Sequence, residues 1–124
     1  MSASETPPEV PPGVLVQSIT IDDRGRAAGY RIFADGRYER LQRGSDWSAE
    51  EPLSPAQLEG VERALAAVPL HDLAGRYEGP PGDGEPHVLW MQVAHGDGVR
   101  AVSVVGDRRV PELDRLTALI TAAF

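Results

Sequence analysis

The stretch Leu53–Val68, "LSPAQLEGVERALAAV", constrains this chain most, because its apolar residues recur at helical spacing while the sequence on both sides alternates every two residues. Ser54 stands where an N-cap belongs, Pro55 at the first helical position, and Gln57 where a capping box closes. Leu53 and Leu58 take the hydrophobic-staple positions, and Leu58, Val61, Leu65 and Val68 run down one face. Pro69 ends the helix. A helix with one apolar face, set between strand-like segments, needs a sheet to pack on.

Those segments supply it. "VLVQSITID" from Val14 is rich in β-branched residues, with Leu15, Ile19 and Ile21 on one side of the alternation. After a turn at "DRG" (23–25), "AAGYRIFA" and "RYERLQR" form two strands about Asp35-Gly36, a preferred pair for a two-residue type I′ turn. Beyond the helix, "LHDLAGRY" returns Leu70, Leu73 and Tyr77 to the core, and the Gly/Pro-rich "EGPPGDGEP" at 78–86 is a loop. "HVLWMQVA" and "VRAVSVV" are strands joined by "HGDG". "VPELDRLTALITAAF" is a second helix, with Pro111 near its start and Leu113, Leu116, Leu119, Ile120 and Phe124 at helical spacing. The order β-β-β-α-β-β-α predicts an α+β fold, a five-stranded antiparallel sheet with both helices on one face.

Residues 1–13 hold four of the eleven prolines and little apolar weight, so the expectation is a disordered Pro-rich tail ahead of a single domain over 14–124. Its two Pro-Pro pairs suit either a ligand for a proline-binding module or, more plainly, a solubilising leader. No apolar run nears the roughly 18 residues of a membrane span, and the N-terminus lacks a basic n-region and an apolar h-region. The default expectation is a soluble cytoplasmic protein, unless a signal peptide has already been removed from the sequence.

All 12 basic residues are Arg, and Ala, Gly and Pro are plentiful, a bias that reads as a GC-rich bacterial coding sequence. The net charge of −7 argues against binding a phosphate backbone over the whole surface. The charge is unevenly spread. Residues 24–43 carry six Arg against Asp35 and Glu39, a local +4, which leaves −11 elsewhere.

With no cysteine, disulfide scaffolds, thiolate metal sites and cysteine nucleophiles are excluded. His87 and His95, on one predicted strand, lie roughly 26 Å apart at about 3.3 Å per residue, too far to share an ion. His71 stands alone. The Asp-Gly pairs at 35, 83 and 97 lack the ligand set of a calcium loop and read as turns, and Glu78, Asp83 and Glu85 offer at most a weak hard-cation site. No Gly-x-Ser-x-Gly elbow and no Ser beside a base is found, and Asp22-Asp23 would point to opposite faces of a strand. We therefore assign no catalytic residue, no metal and no cofactor; a hydrolase would need a site in 71–87 of unrecognised kind.

The candidate site is the basic hairpin. With a two-residue loop, Phe33 stands opposite Tyr38 and Arg31 opposite Arg40, so these four share one face, while Tyr30, Leu41, Ile32 and Glu39 share the other. Arg31, Phe33, Arg37, Tyr38 and Arg40, with Trp47 nearby in "GSDWSAEE", have the composition of an interface anchor. The expected function is a non-catalytic protein-binding module. A small-molecule or single-stranded nucleic-acid binder using Phe33 and Tyr38 as stacking platforms is the alternative, as is a core role for those two rings.

The order of these signals, "GYRIFADGRYE", "LSPAQLEGVERAL", Leu73 and Tyr77 before the acidic loop, then two strands about a glycine turn and "VPELDRLTALI", resembles a group of small bacterial domains that includes emfourin-type proteins. It extends over about residues 29–120. In place of the glycine-rich segment near the start of the emfourin pattern, this chain has "RGRAAGY" (24–30). The resemblance implies an α+β fold and, through its founding example, inhibition of a thermolysin-like metallopeptidase as the partner.

Overall fold

A computed structural model describes residues 8–22, 25–42, 45–70, 73–79, 88–95, 98–106 and 109–124. The elements are β1 (Val14–Ile21), β2 (Ala27–Phe33), β3 (Tyr38–Leu41), β4 (Trp47–Ala49), α1 (Pro55–Ala67), β5 (Arg76–Glu78), β6 (Val88–His95), β7 (Gly98–Val105) and α2 (Pro111–Ala123). They build an α+β fold on one seven-stranded sheet, in the order β4-β3-β2-β1-β6-β7-β5. The expectation of five antiparallel strands is corrected here: β4 and β5 extend the two edges, and β5 runs parallel to β7. Both added strands are three residues long, too short to show a period-two alternation.

α1 forms as its sequence dictates. The Gln57 N–H donates to Ser54 Oγ at 3.2 Å, and the Ser54 N–H donates to Gln57 Oε1 at 2.8 Å, closing the capping box. Leu53 and Leu58 join the core on either side of that cap. α2 begins on Pro111 with Glu112 and Asp114 in its first turn but has no side-chain cap. The helices cross closely at Gly60, where a Cβ would come within 2.9 Å of the Ala123 Cβ.

Both helices cover one face of the sheet. Val61, Ala64 and Val68 of α1 and its C-cap, with Leu113, Leu116 and Ile120 of α2, pack with Val16, Ile32, Met91, Val102 and Val104 from the central strands. In β1 a bulge between Val14 and Val16 interrupts the pairing with β2; beyond it the strand alternates regularly, with Val16 facing the helices and Ile19 and Ile21 facing the other way. Ile19 and Ile21 share a face, as the alternation predicts, and Leu15 is the extra residue of the bulge.

The opposite face carries a row of polar side chains. Glu39, Arg31, Gln17 and Gln92 stand directly across from one another on β3, β2, β1 and β6. The second half of the predicted tail lies against this face. Gln17 Nε2 donates to the Glu9 carbonyl at 3.1 Å and Gln92 Nε2 to the Pro8 carbonyl at 2.8 Å, while the Ala34 N–H donates to the Gly13 carbonyl at 2.8 Å. Residues 8–13 are thus an arm docked on the sheet; residues 1–7 lie outside the described residues.

Candidate functional site

The β2–β3 hairpin turns through three residues rather than two. Gly36 N–H donates to the Phe33 carbonyl, Phe33 N–H donates to the Arg37 carbonyl, and only Gly36 takes a positive φ, at 96°. Asp35 keeps a negative φ and spends its carboxylate on the turn, Oδ1 accepting from the Arg37 N–H at 3.0 Å. Gly36 also presents its carbonyl to the Leu53 N–H, tying the hairpin to the entry of α1. That Arg37 N–H, with the guanidinium behind it, holds the Asp35 carboxyl below its ordinary value.

The extra loop residue shifts the register by one. Ile32 pairs with Tyr38, Arg31 with Glu39 and Tyr30 with Arg40. A one-residue slip turns every side chain of a strand to the other face. The predicted grouping of Arg31, Phe33, Tyr38 and Arg40 on one face is therefore corrected: Arg31 and Phe33 lie on the face away from the helices, Tyr38 and Arg40 on the helix side. Phe33 and Tyr38 do not share the core either.

Away from the helices, Trp47, Arg31, Phe33 and Arg37 form a ladder of alternating rings and guanidiniums. Arg31 Cζ sits 4.0 Å from the Trp47 ring centroid and 5.7 Å from that of Phe33, and Arg37 Cζ lies 4.1 Å from the Phe33 centroid. Each cation also has an anion. Arg31 Nε donates to Glu39 Oε1 at 2.5 Å in a largely covered pair, and Arg37 Nε to Asp35 Oδ2 at 2.9 Å in a pair 60% exposed on both sides. With Arg26 held by Asp22, three hairpin arginines have their charge locally balanced. Arg24 and Arg43 lie outside the described residues. The surface this presents is less cationic than the count of arginines implies.

On the helix side, Tyr38 stacks on Phe124 with centroids 5.2 Å apart, and Tyr30 meets Tyr38 edge-on at 6.5 Å. Burial, and then the neighbouring Tyr38, push the Tyr30 phenol up to about 12. Arg40 lies exposed across from Tyr30.

The polar row has no counterpart among the expectations from sequence. Gln17 is fully buried and Gln92 nearly so, joined by a 3.1 Å hydrogen bond from Gln17 Nε2 to Gln92 Oε1. One row further on, buried Trp90 stands opposite Ile19 with its indole N–H unpartnered, and Gln17 Oε1 is unpartnered as well. The available signal was a glutamine inside each of two strongly apolar strands, "VLVQSITI" and "VLWMQVAH".

Among the described residues, no three His, Cys, Asp or Glu side chains gather as metal ligands would, and no helix is long and apolar enough to cross a membrane. His71, His87, Asp83 and Glu85 lie outside the described residues. No protein-family model and no curated protein matches this chain.

Proposed function

We propose that this chain is a non-catalytic protein-binding module that engages its partner through the β4 edge of the sheet and the ladder beside it. The observation that carries this reading is the ladder: Trp47, Arg31, Phe33 and Arg37 are stacked in place beside β4, an edge strand that pairs with β3 on one side and with no strand on the other among the described residues. Aromatic and guanidinium groups already held in one geometry lose little entropy on binding, and an open strand edge offers backbone donors and acceptors to an incoming segment. The most specific form, inhibition of a thermolysin-like metallopeptidase, is supported by the resemblance over residues 29–120.

The two faces of the hairpin give the test. In pull-downs from the source cell, an Arg37→Ala/Trp47→Ala chain should lose partners that an Arg40→Ala chain retains. Equal recovery by both would remove the ladder as contact surface. For the inhibitor form, micromolar protein should slow at least one member of a panel of thermolysin-like peptidases; a fully active panel would leave the module without that role.

A further inference from the structure

The arm-covered face is chemically distinct from the β4 edge. Its floor is apolar, with Ile19 and Val88 buried, but it offers amide and indole N–H donors at three places: Gln17 Nε2, Gln92 Nε2 and Trp90 Nε1. Two of these are met by the carbonyls of Glu9 and Pro8, in the segment "PEVPPG". The third is buried and unmet. A floor that presents donors is matched by a chain that presents acceptors without N–H groups of its own to satisfy, and a proline-rich segment does this because each proline keeps its carbonyl and lacks its N–H. Proline also lowers the entropy lost when such a segment is laid down in one extended conformation.

The arm does not close this face completely. Beside its root, a hollow lined by Val10, Pro11, Leu15, Ala94 and Val99 lies between the arm and the ends of the strands. Glu9 and Pro12 are exposed, while the two glutamines beneath are among the most buried polar side chains of the molecule. Buried amides whose N–H groups are met by the arm, under a thin, partly exposed cover, are more than a surface tether requires.

We propose that this face is a recognition groove for proline-rich segments, and that residues 8–13 occupy it in cis where a proline-rich segment of a partner protein would bind in trans. The partner segment carries a Pro-Pro pair, places uncharged backbone over Gln17 and Gln92, and can extend a carbonyl to the Trp90 indole. The cis arm competes with it, so the apparent affinity is set by how often the arm lifts.

The test uses the full chain and the synthetic peptide ETPPEVPPG, which has the sequence of residues 5–13. The Trp90 indole N–H is followed by NMR and assigned with a Trp47→Phe variant. In a Pro8→Gly/Pro11→Gly/Pro12→Gly chain the cis arm is weakened, and the peptide should shift the Trp90 signal saturably with an affinity about tenfold higher than in the unaltered chain. The same peptide with alanine at its four prolines should shift it in neither chain, a control that leaves the protein untouched. If the arm-weakened chain keeps its native circular dichroism and millimolar peptide does not move the Trp90 signal, or if the alanine peptide works equally well, the groove assignment is overturned. Sedimentation of the unaltered chain as a dimer that the peptide splits would make a second copy the occupant and overturn the assignment to a partner protein.

Discussion

The two faces of this sheet bury the same strands with different chemistry. On the helix side, Val16, Ile32, Met91 and Val102 meet Leu116 and Ile120, all essentially without exposure and all apolar. On the other side the same strands present Gln17, Gln92 and Trp90, equally covered but carrying donors and acceptors. An apolar contact needs only bulk and shape, whereas each buried amide needs a matched partner or it costs free energy. The helix face is self-sufficient; the arm face depends on what is laid across it.

The largest effect should come from the self-sufficient side. Leu116 is 0% exposed at the centre of the helix layer, and Leu116→Ala should lower the unfolding free energy by about 2–5 kcal/mol, the range for cavities in well-packed cores. Urea titration followed by circular dichroism measures this. A loss below about 1 kcal/mol would mean that α2 is loosely seated and that the faces differ less than described.

The helix side should also be the one that fails at high pH. The phenol of Tyr30 is raised to about 12 from 10.0, so an unfolded chain releases this proton first. Its contribution is therefore complete below pH 10 and disappears as pH rises toward 12, amounting to roughly 2–3 kcal/mol at most. Tyr30→Phe should flatten that part of the stability profile. An unchanged alkaline decline in the variant would place its cause elsewhere.

The arm side should show the asymmetry of paired amides. Gln92→Leu removes the acceptor for Gln17 Nε2 and the donor to the Pro8 carbonyl, and should cost about 1–3 kcal/mol. Replacing both glutamines with leucine leaves no amide stranded, and the arm's carbonyls can turn to water because Glu9 is exposed. The double variant should then cost less than the sum of the single ones, read as a positive coupling in a double-mutant cycle. Strict additivity would show that the two amides do not act as a pair.

The contrast between faces also explains what could be read from the sequence. The helices and long strands were legible because each announces itself within a few residues: Ser54 with Gln57, Pro55, Pro111, and the β-branched runs of β1 and β7. The hairpin was legible as a turn but not in register, because Asp35-Gly36 serves both two-residue and three-residue loops, and the difference lies in Asp35 accepting the Arg37 N–H. That single residue moved Tyr38 and Arg40 away from Arg31 and Phe33, so two of the six candidate residues were misplaced, although Trp47, Arg31, Phe33 and Arg37 do meet. β5 depends on a parallel pairing with β7, distant in sequence, and so left no local trace. The Gln17–Gln92 pair joins residues 75 positions apart, and a glutamine in a strand ordinarily reads as solvent-facing.

The smallest effect in free energy should be the most informative about the arm. Replacing Pro11 and Pro12 with glycine leaves the carbonyls of Pro8 and Glu9 and both glutamines in place, but gives the unbound arm more conformations to lose, worth about 0.4–1 kcal/mol per site. Because the arm can lift without unfolding the sheet, that increment should appear as local opening more than as global stability. The urea midpoint should move little, while exchange of the Ala34 N–H, which donates to the Gly13 carbonyl at the arm's root, should accelerate several-fold. The backbone N–H groups of Met91 and Val102, on the strands beneath the helices, should keep their protection. If Ala34 exchange is unchanged, or if the central strands lose protection together with it, arm and sheet open as one unit, and the division between a self-sufficient face and a dependent one does not hold.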